Sequence, residues 1–289
     1  MEKAVNMTAQ PLVSFVIAAY NAADFVRETL ESVRTQTYTN IEVLMVNDSS
    51  TDGTLAILQE YADRDARFIV INNTKENKGF VNSLNVGIRA AKGKYIARLD
   101  ADDVCTEDRL AVQIPYLEAN PSIDMVAAWI VFIDEHGKEG GAWDLDRRIN
   151  SPAAIRRKMP KENCIAHPTV TGKTEVFKQL EYLYFPYNNE DHFMWLRVLG
   201  AGYTIGKVQQ VLLRYRVHSN SMTQTDFRSL NIFRKRFNTK RDYLQLKEKA
   251  GKLSWFDVKV LMYMVPDMIM TIAKDLKRRV KHAIQPAAR

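Results

Sequence analysis

The chain has 289 residues, 46% hydrophobic and 26% charged, an ordinary globular composition with room for one large domain or a catalytic domain and an appendage. Two cysteines without framework spacing, Cys105 and Cys164, exclude a disulfide scaffold and point to a reducing compartment; the opening "MEKAVNMTAQP" has no apolar core of signal-peptide length, so a cytoplasmic protein is expected. The net charge of +7 is unevenly spread: residues 228–289 hold 16 Lys and Arg against 5 Asp and Glu, leaving −4 on the first 227 residues, which argues against a nucleic-acid-binding body.

In chain order, "LVSFVIA" reads as a buried strand, and "ADFVRETLESVRTQ" as a helix with Phe25, Val26, Leu30 and Val33 at helical spacing. "IEVLMVN" is a second strand, followed by a helix in "GTLAILQEYADR". "RFIVINN" is a third strand, "FVNSLNVGIRAAKG" a third helix with Gly93 as its expected C-cap, and "KYIARLD" a fourth strand. This alternation predicts βαβ crossovers, hence an α/β, doubly wound, mainly parallel sheet. Beyond Asp103 follow a helix in "TEDRLAVQIPYLEAN" that starts in capping-box fashion at Thr106, and a long strand in "SIDMVAAWIVFID". Next come a helix at "SPAAIRRKM" with Ser151 as N-cap and Pro152 at its first position, and a helix in "EDHFMWLRVLGAG". Strands near "YTIGK" and "VLLRYRVH" close the body. The main boundary is expected near Thr225, dividing residues 1–225, a catalytic domain, from residues 226–289, a helical extension.

Ligands of a parallel α/β sheet bind outside the carboxyl ends of its strands. Strand one ends at Ala19, Tyr20 and Asn21, strand two at "NDSSTDGT", strand four at Asp100, Ala101, Asp102 and Asp103, so three polar clusters fall on one edge. A lone D-x-D before a helix is more often a cap with solvated neighbours. With the other strand ends beside it, the pattern suits Mg²⁺ or Mn²⁺, hard cations that take carboxylate oxygens together with substrate phosphates.

The ordered set "VSFVIAAYN", "QTYTNIEVLMVNDSSTDGT", "NKGFVNSLNVGIRAAKGKYIARLDADD" and "NNEDHFMWLR" resembles the inverting family 2 glycosyltransferases of the GT-A fold, over about Leu12 to Thr223. The continuation through "VFID" and the closing "LLRYRVHSNSMT" are similar to members that build bacterial surface polysaccharides. The resemblance implies a nucleotide-sugar donor and a saccharide acceptor, lipid-linked in such pathways. It sets Tyr20 against the base, flanked by Ala19 and Asn21, with Asp48 hydrogen-bonding a uracil and Lys78 near the diphosphate. It makes Asp100 and Asp102 the D-x-D around Ala101, with Asp102 the direct metal ligand, and offers His218 as a further ligand, which favours manganese. It makes Asp191 the general base that takes the acceptor's hydroxyl proton, with Glu190 beside it orienting the acceptor. Seen alone, such a pair is more often a helix-start acid pair favoured by the macrodipole; with the D-x-D and the other strand ends present, the functional reading prevails. Two departures stand out: Asn47, Asp48 and Ser49 occupy a place where the family has two acids and a glycine, and Ala replaces a proline in "IAAYN". Arg214 and Arg216 read either as phosphate partners or as edge-strand flanks, His167 as an acceptor-side residue and Trp195 as core.

In the tail, Val258, Leu261, Val265, Met268, Ile269, Ile272 and Leu276 share one helical face, and Lys259, Asp267, Lys274, Lys277, Arg278 and Lys281 the other. No apolar run reaches the ~20 residues that span a bilayer. A basic amphipathic helix suits the surface of an anionic membrane, making the chain peripheral on the inner face of the plasma membrane; the usual alternative is docking on the catalytic body or on a second copy, a homodimer. A sugar nucleotidyltransferase is the competing enzyme, but "AAYNAADF" lacks the glycine-rich basic loop it needs, and a nucleic-acid-binding protein is the non-enzymatic alternative.

Overall fold

The computed structural model describes residues 10–73, 78–184, 189–219, 231–251 and 253–284, with side chains followed as far as residue 277. The boundary expected near Thr225 lies outside the described residues, as do the Arg278 and Lys281 side chains.

Strand β1 (Val13–Ala19) leads through helix α1 (Val26–Arg34) to β2 (Ile41–Asn47), and α2 (Thr54–Arg64) leads to β3 (Phe68–Asn72). Helix α3 (Phe80–Ala90) returns the chain to β4 (Tyr95–Asp100). These four strands lie in the order β3-β2-β1-β4 and are parallel throughout, with Ala19 opposite Asn47 and Ala18 opposite Asp100. The register levels three strand ends at one edge, as the alternation predicted. Every residue of β1 and β2 is buried, so consecutive side chains enter opposite layers. Phe15 and Ile17 join Leu30 of α1, Leu58 of α2 and Leu110 of α4 (Arg109–Ala119). Val16 and Ala18 join Leu84 of α3 and, beyond it, Trp195 of α8 (Glu190–Gly200). Helices therefore cover both faces, the doubly wound arrangement.

The second half extends the sheet with shorter antiparallel steps. β8 (Thr171–Lys173) pairs β4 and β6 (Met125–Ile133) over two or three residues each, β7 (Glu139–Ala142) pairs β6, and β5 (Val104–Cys105) pairs β9 (Ile205–Arg216). β6 and β9 run parallel over a long register. The two late strands expected near "YTIGK" and "VLLRYRVH" are one strand, β9, whose register against β6 shifts on either side of Trp129. Gln209 and Gln210 stand exposed there, so their polarity marks an irregularity inside the strand rather than a turn between two.

Helices α5 (Asp144–Arg148), α6 (Pro152–Lys158) and α7 (Thr174–Leu180) fill the second layer. Ser151 caps α6 by accepting the Ala154 N–H at 3.2 Å, with Pro152 at the first position, as expected. Two other expected caps are not made. The helix after Asp103 begins at Arg109, because the Thr106 hydroxyl donates to Asp108 at 2.6 Å instead of holding a helix amide. Gly93 lies beyond the α3 C-cap, Ala91, and serves close approach: a Cβ there would stand 2.7 Å from the Leu12 carbonyl and the Ser14 nitrogen. The extension is two helices, α9 (Ile232–Lys249) and α10 (Trp255–Ile284), packed on each other and on α8.

Candidate active site

The turns after β1 and β2 are tied together. Asn21 takes a left-handed conformation (φ 47°), and its Oδ1 accepts the Thr51 N–H at 2.8 Å, while its own N–H reaches the Ser50 hydroxyl at 3.2 Å. Ser49, where the family has glycine, also stands left-handed (φ 58°), which costs a side chain about 1 kcal/mol. Asn47 is buried; it donates to Asn72 at 3.1 Å and accepts the Ser50 N–H at 3.2 Å. Its neutral amide therefore does structural work that a second acid could do only in part. Asp48 accepts the Gly79 N–H at 2.8 Å and so pins the entrance of α3. Tyr20 is 49% exposed, and the Lys78 Nζ lies 4.5 Å from its ring centroid. Ala19, Tyr20, Asn21, Asp48 and Lys78 thus form one continuous rim.

Beside that rim lie the three acids at the end of β4. One ligand oxygen of each of Asp100, Asp102 and Asp103 falls within 4.8 Å of the others. Arg98 pairs with Asp100, and its guanidinium is buried against the Phe80 ring. His218 Nε2 lies 3.0 Å from Asp102 Oδ2, with its ring 4.6 Å from Phe25. Asp103 is fully enclosed; one oxygen accepts the Arg216 N–H at 2.8 Å, and the other finds no hydrogen-bond partner among the described residues. It is therefore not a helix cap. Burial pushes the Asp103 carboxyl well above the carboxylate range, and Asp102 and Asp100 add to the rise. Burial likewise raises Asp100 against the pull of Arg98, with Asp102 and Asp191 raising it further. Concentrated negative charge with an orphaned oxygen is what a divalent cation neutralises; the oxygen set suits Mn²⁺ or Mg²⁺, and one imidazole beside it favours Mn²⁺.

Why residues over a hundred positions apart meet here follows from β5. Val104 opposite Arg214 and Cys105 opposite Leu213 bring the end of β9 alongside the D-x-D. Arg216 then fastens it. Its Nε donates to the Asp102 carbonyl at 2.8 Å, its Nη1 reaches the carbonyls of Asp134 and Glu135, and its Nη2 pairs with Glu28 of α1. Arg214 donates to the Gly137 carbonyl at 2.6 Å. Both arginines, expected as phosphate partners or strand flanks, have these donors engaged by protein groups.

The second acidic pair opens α8. Asp191 accepts from Asn163 Nδ2 and from the His192 N–H, each at 2.6 Å. Burial raises its carboxyl, opposed by that N–H, Lys235, Arg98 and Asn163. Glu190 is pushed up to about 7 by burial and then by Asp191. Asp191 raises Asp100, and Arg98 lowers Asp100, Glu190 and Asp191, so the pair and the end of β4 feel one another's charge. His167 is buried, 2.7 Å from the Tyr182 hydroxyl, and burial lowers its pKa well below the ordinary imidazole value, so it is a neutral ring. Trp195 is core, as expected.

A family model, "Glycosyl transferase family 2", matches residues 14–181. The chain belongs to glycosyl transferase family 2. This glycosyltransferase is 32% identical over 220 residues to the Escherichia coli UDP-Glc:alpha-D-GlcNAc-diphosphoundecaprenol beta-1,3-glucosyltransferase WfaP, covering 76% of this chain and 82% of that one. Among solved structures it is similar to Staphylococcus aureus TarS 1-349 in complex with UDP-GlcNAc, with a TM-score of 0.66 at 16% identity, covering 90% of this chain and 72% of TarS 1-349. It is also similar to the mannosyltransferase PcManGT of Pyrobaculum calidifontis in complex with GDP-Man and Mn²⁺, with a TM-score of 0.64 at 17% identity, over 96% and 77% of the two chains. The fold is therefore GT-A. Membership in the family displaces the sugar nucleotidyltransferase and nucleic-acid readings of the sequence.

Sequence reasoning about this glycosyltransferase missed Arg98, Asn163 and Glu28. Arg98 left a signal, a charge in the interior of "YIARLD", where a fully buried strand has no water to offer it. Asn163 and Glu28 sit in unremarkable polar context, and only the fold brings them to the acids.

Proposed function

We propose that this glycosyltransferase moves a sugar, with inversion, from a UDP-sugar to a lipid-linked saccharide at the inner face of the plasma membrane, in surface-polysaccharide synthesis. The observation that carries this reading is the Asp100–Asp102–Asp103 cluster at the end of β4, where Asp100 pairs with the buried Arg98 and feels the charge of Asp191. The donor and acceptor named for WfaP, a UDP-sugar and a diphosphoundecaprenol-linked sugar, support the same classes here.

In this mechanism the exposed Tyr20 ring takes the base, Asp48 accepts its N–H, and Lys78 stands at the rim toward the diphosphate. Asp100 and Asp102, with His218 beside them, would hold Mn²⁺ or Mg²⁺. When bound, such a cation supplies positive charge to the leaving diphosphate. Asp191 takes the proton of the acceptor hydroxyl as that oxygen attacks the anomeric carbon. Asn163 orients Asp191 through Oδ2, and Glu190 holds the acceptor and raises the basicity of its neighbour. Arg98 offsets the summed negative charge of both acid sets.

The test is a hydrolysis screen of UDP-, GDP- and dTDP-sugars with Mn²⁺, followed by transfer assays on the best donor. Asp191→Asn should abolish transfer, about 10³-fold or more, while UDP affinity stays within about twofold. Loss of UDP binding in that variant would remove Asp191 from the base role, and failure of every donor would overturn the reading.

A further inference from the structure

The long apolar stripe of α10 is turned away from the protein. Trp255, Met262, Val265, Ile269, Ile272 and Leu276 are 48–68% exposed and, at 100° per residue, share one side of the helix. Phe256 and Val260 enter the core near the start of the helix; further along, the inward side is polar. Asp267 pairs with the buried Lys240 of α9, and Asp275 pairs with Arg234 and accepts from Asn231 at 3.2 Å. Asp257 takes the Tyr243 hydroxyl and the Ser254 N–H. An amphipathic helix docked on a body normally does the reverse, apolar side in. Docking of this stripe on the catalytic body, the usual use of such a helix, is thus not what happens.

This inversion also sorts the charge. Every acid of α10 among the described side chains is engaged by α9 or by the helix start, whereas Lys277 stays exposed, Lys259 borders the stripe half-buried, and Lys274 turns toward α9 with its Nζ 5.9 Å from the Phe233 ring centroid. The outer surface is therefore apolar, edged with positive charge. No helix among the described residues is long and apolar enough to cross a membrane.

We propose that α10 lies in the plane of an anionic lipid bilayer, with its stripe in the headgroup–acyl boundary and its lysines against the lipid phosphates. Its 30 residues would present an edge about 45 Å long. Trp255, at 68% exposure, sits where an interfacial indole anchors. A second copy fits less well, because a two-fold contact through this stripe brings lysine-edged borders together. The inference rests on the proposed lipid-linked acceptor only for its purpose; its observations are independent of the active site.

The experiment mixes the full chain with phosphatidylcholine vesicles with and without about 30% phosphatidylglycerol and reads co-sedimentation and tryptophan emission. Partitioning should be roughly tenfold or more stronger on the anionic vesicles, weaken with salt, and blue-shift an emission that Trp255→Phe removes. Ile269→Glu with Ile272→Glu should weaken partitioning roughly a hundredfold and leave donor hydrolysis unchanged. Lys259→Glu with Lys277→Glu should abolish the preference for anionic lipid. Absence of binding to both vesicles would overturn the proposal, and so would a stable dimer that the double glutamate variant dissociates, since a second copy would then own the stripe. Hydrolysis without vesicle binding defeats this inference alone; binding without hydrolysis defeats the proposed reaction alone.

Discussion

At the scale of single residues the site is an electrostatic device built from groups that would rather be neutral. Burial, more than any one neighbour, lifts Asp100, Asp103, Glu190 and Asp191. A general base works only when ionised, so transfer should fall as pH drops through the raised pKa of the Glu190–Asp191 pair. Glu190→Gln removes a neighbouring charge and should shift the acid limb of kcat/KM to lower pH; an unmoved limb would mean that Glu190 does not tune Asp191. Stability follows from the same shift. A carboxyl with a folded pKa of about 7, above its unfolded value, favours the folded state while protonated and loses that contribution as pH rises through about 7. Glu190→Gln should therefore stabilise the protein by about 1–3 kcal/mol above about pH 8 and leave it unchanged below about pH 4, as read by urea unfolding. Asp191, Asp100 and Asp102 stood out in the sequence because they are acids at a helix start and a strand end. The roles of Asp103 and Arg216 were not, since a ligand, a cap and a buried acceptor have the same letter.

At the scale of elements, the parallel half of the sheet was readable from β-branched runs alternating with helical spacing, because local periodicity records burial. The joins were not. β5 is two residues long, yet it carries the end of β9 to the D-x-D, and nothing in "VC" announces a strand. The extension shows a different limit. Its amphipathic pattern was plain, but which side faces the body depends on polar partners in another helix. Lys240 and Asp267 are both buried and paired across α9 and α10. Lys240→Met should cost about 3 kcal/mol by stranding a carboxylate, and Lys240→Met with Asp267→Leu should recover most of it, measured by urea unfolding. Additive losses would mean that the helices are held by something other than this pair.

At the scale of the whole molecule, acids at the end of β4 meet His218 from beyond β9 and feel the charge of Asp191 on α8, so cation binding couples to global stability. Mn²⁺ at ~100-fold its dissociation constant should stabilise the wild-type chain by about 3 kcal/mol, reversibly with EDTA, and leave Asp102→Asn unmoved. Without cation, Asp102→Asn should be the more stable protein, since it relieves repulsion on Asp103 and Asp100. Equal Mn²⁺ stabilisation of both would place the cation elsewhere.

What the sequence determined by itself was the class of fold, the parallel strand ends and the acids on them. These are properties of short windows, where the period of apolar residues and the residue after a strand report directly on burial and edge. Only the tertiary structure decided that His218 meets Asp102, that the buried Arg98 pairs with Asp100 and acts on the Glu190–Asp191 pair, and that α10 turns its apolar side outward. Each of those depends on a contact between distant segments, and its energy belongs to the pair rather than to either stretch of chain.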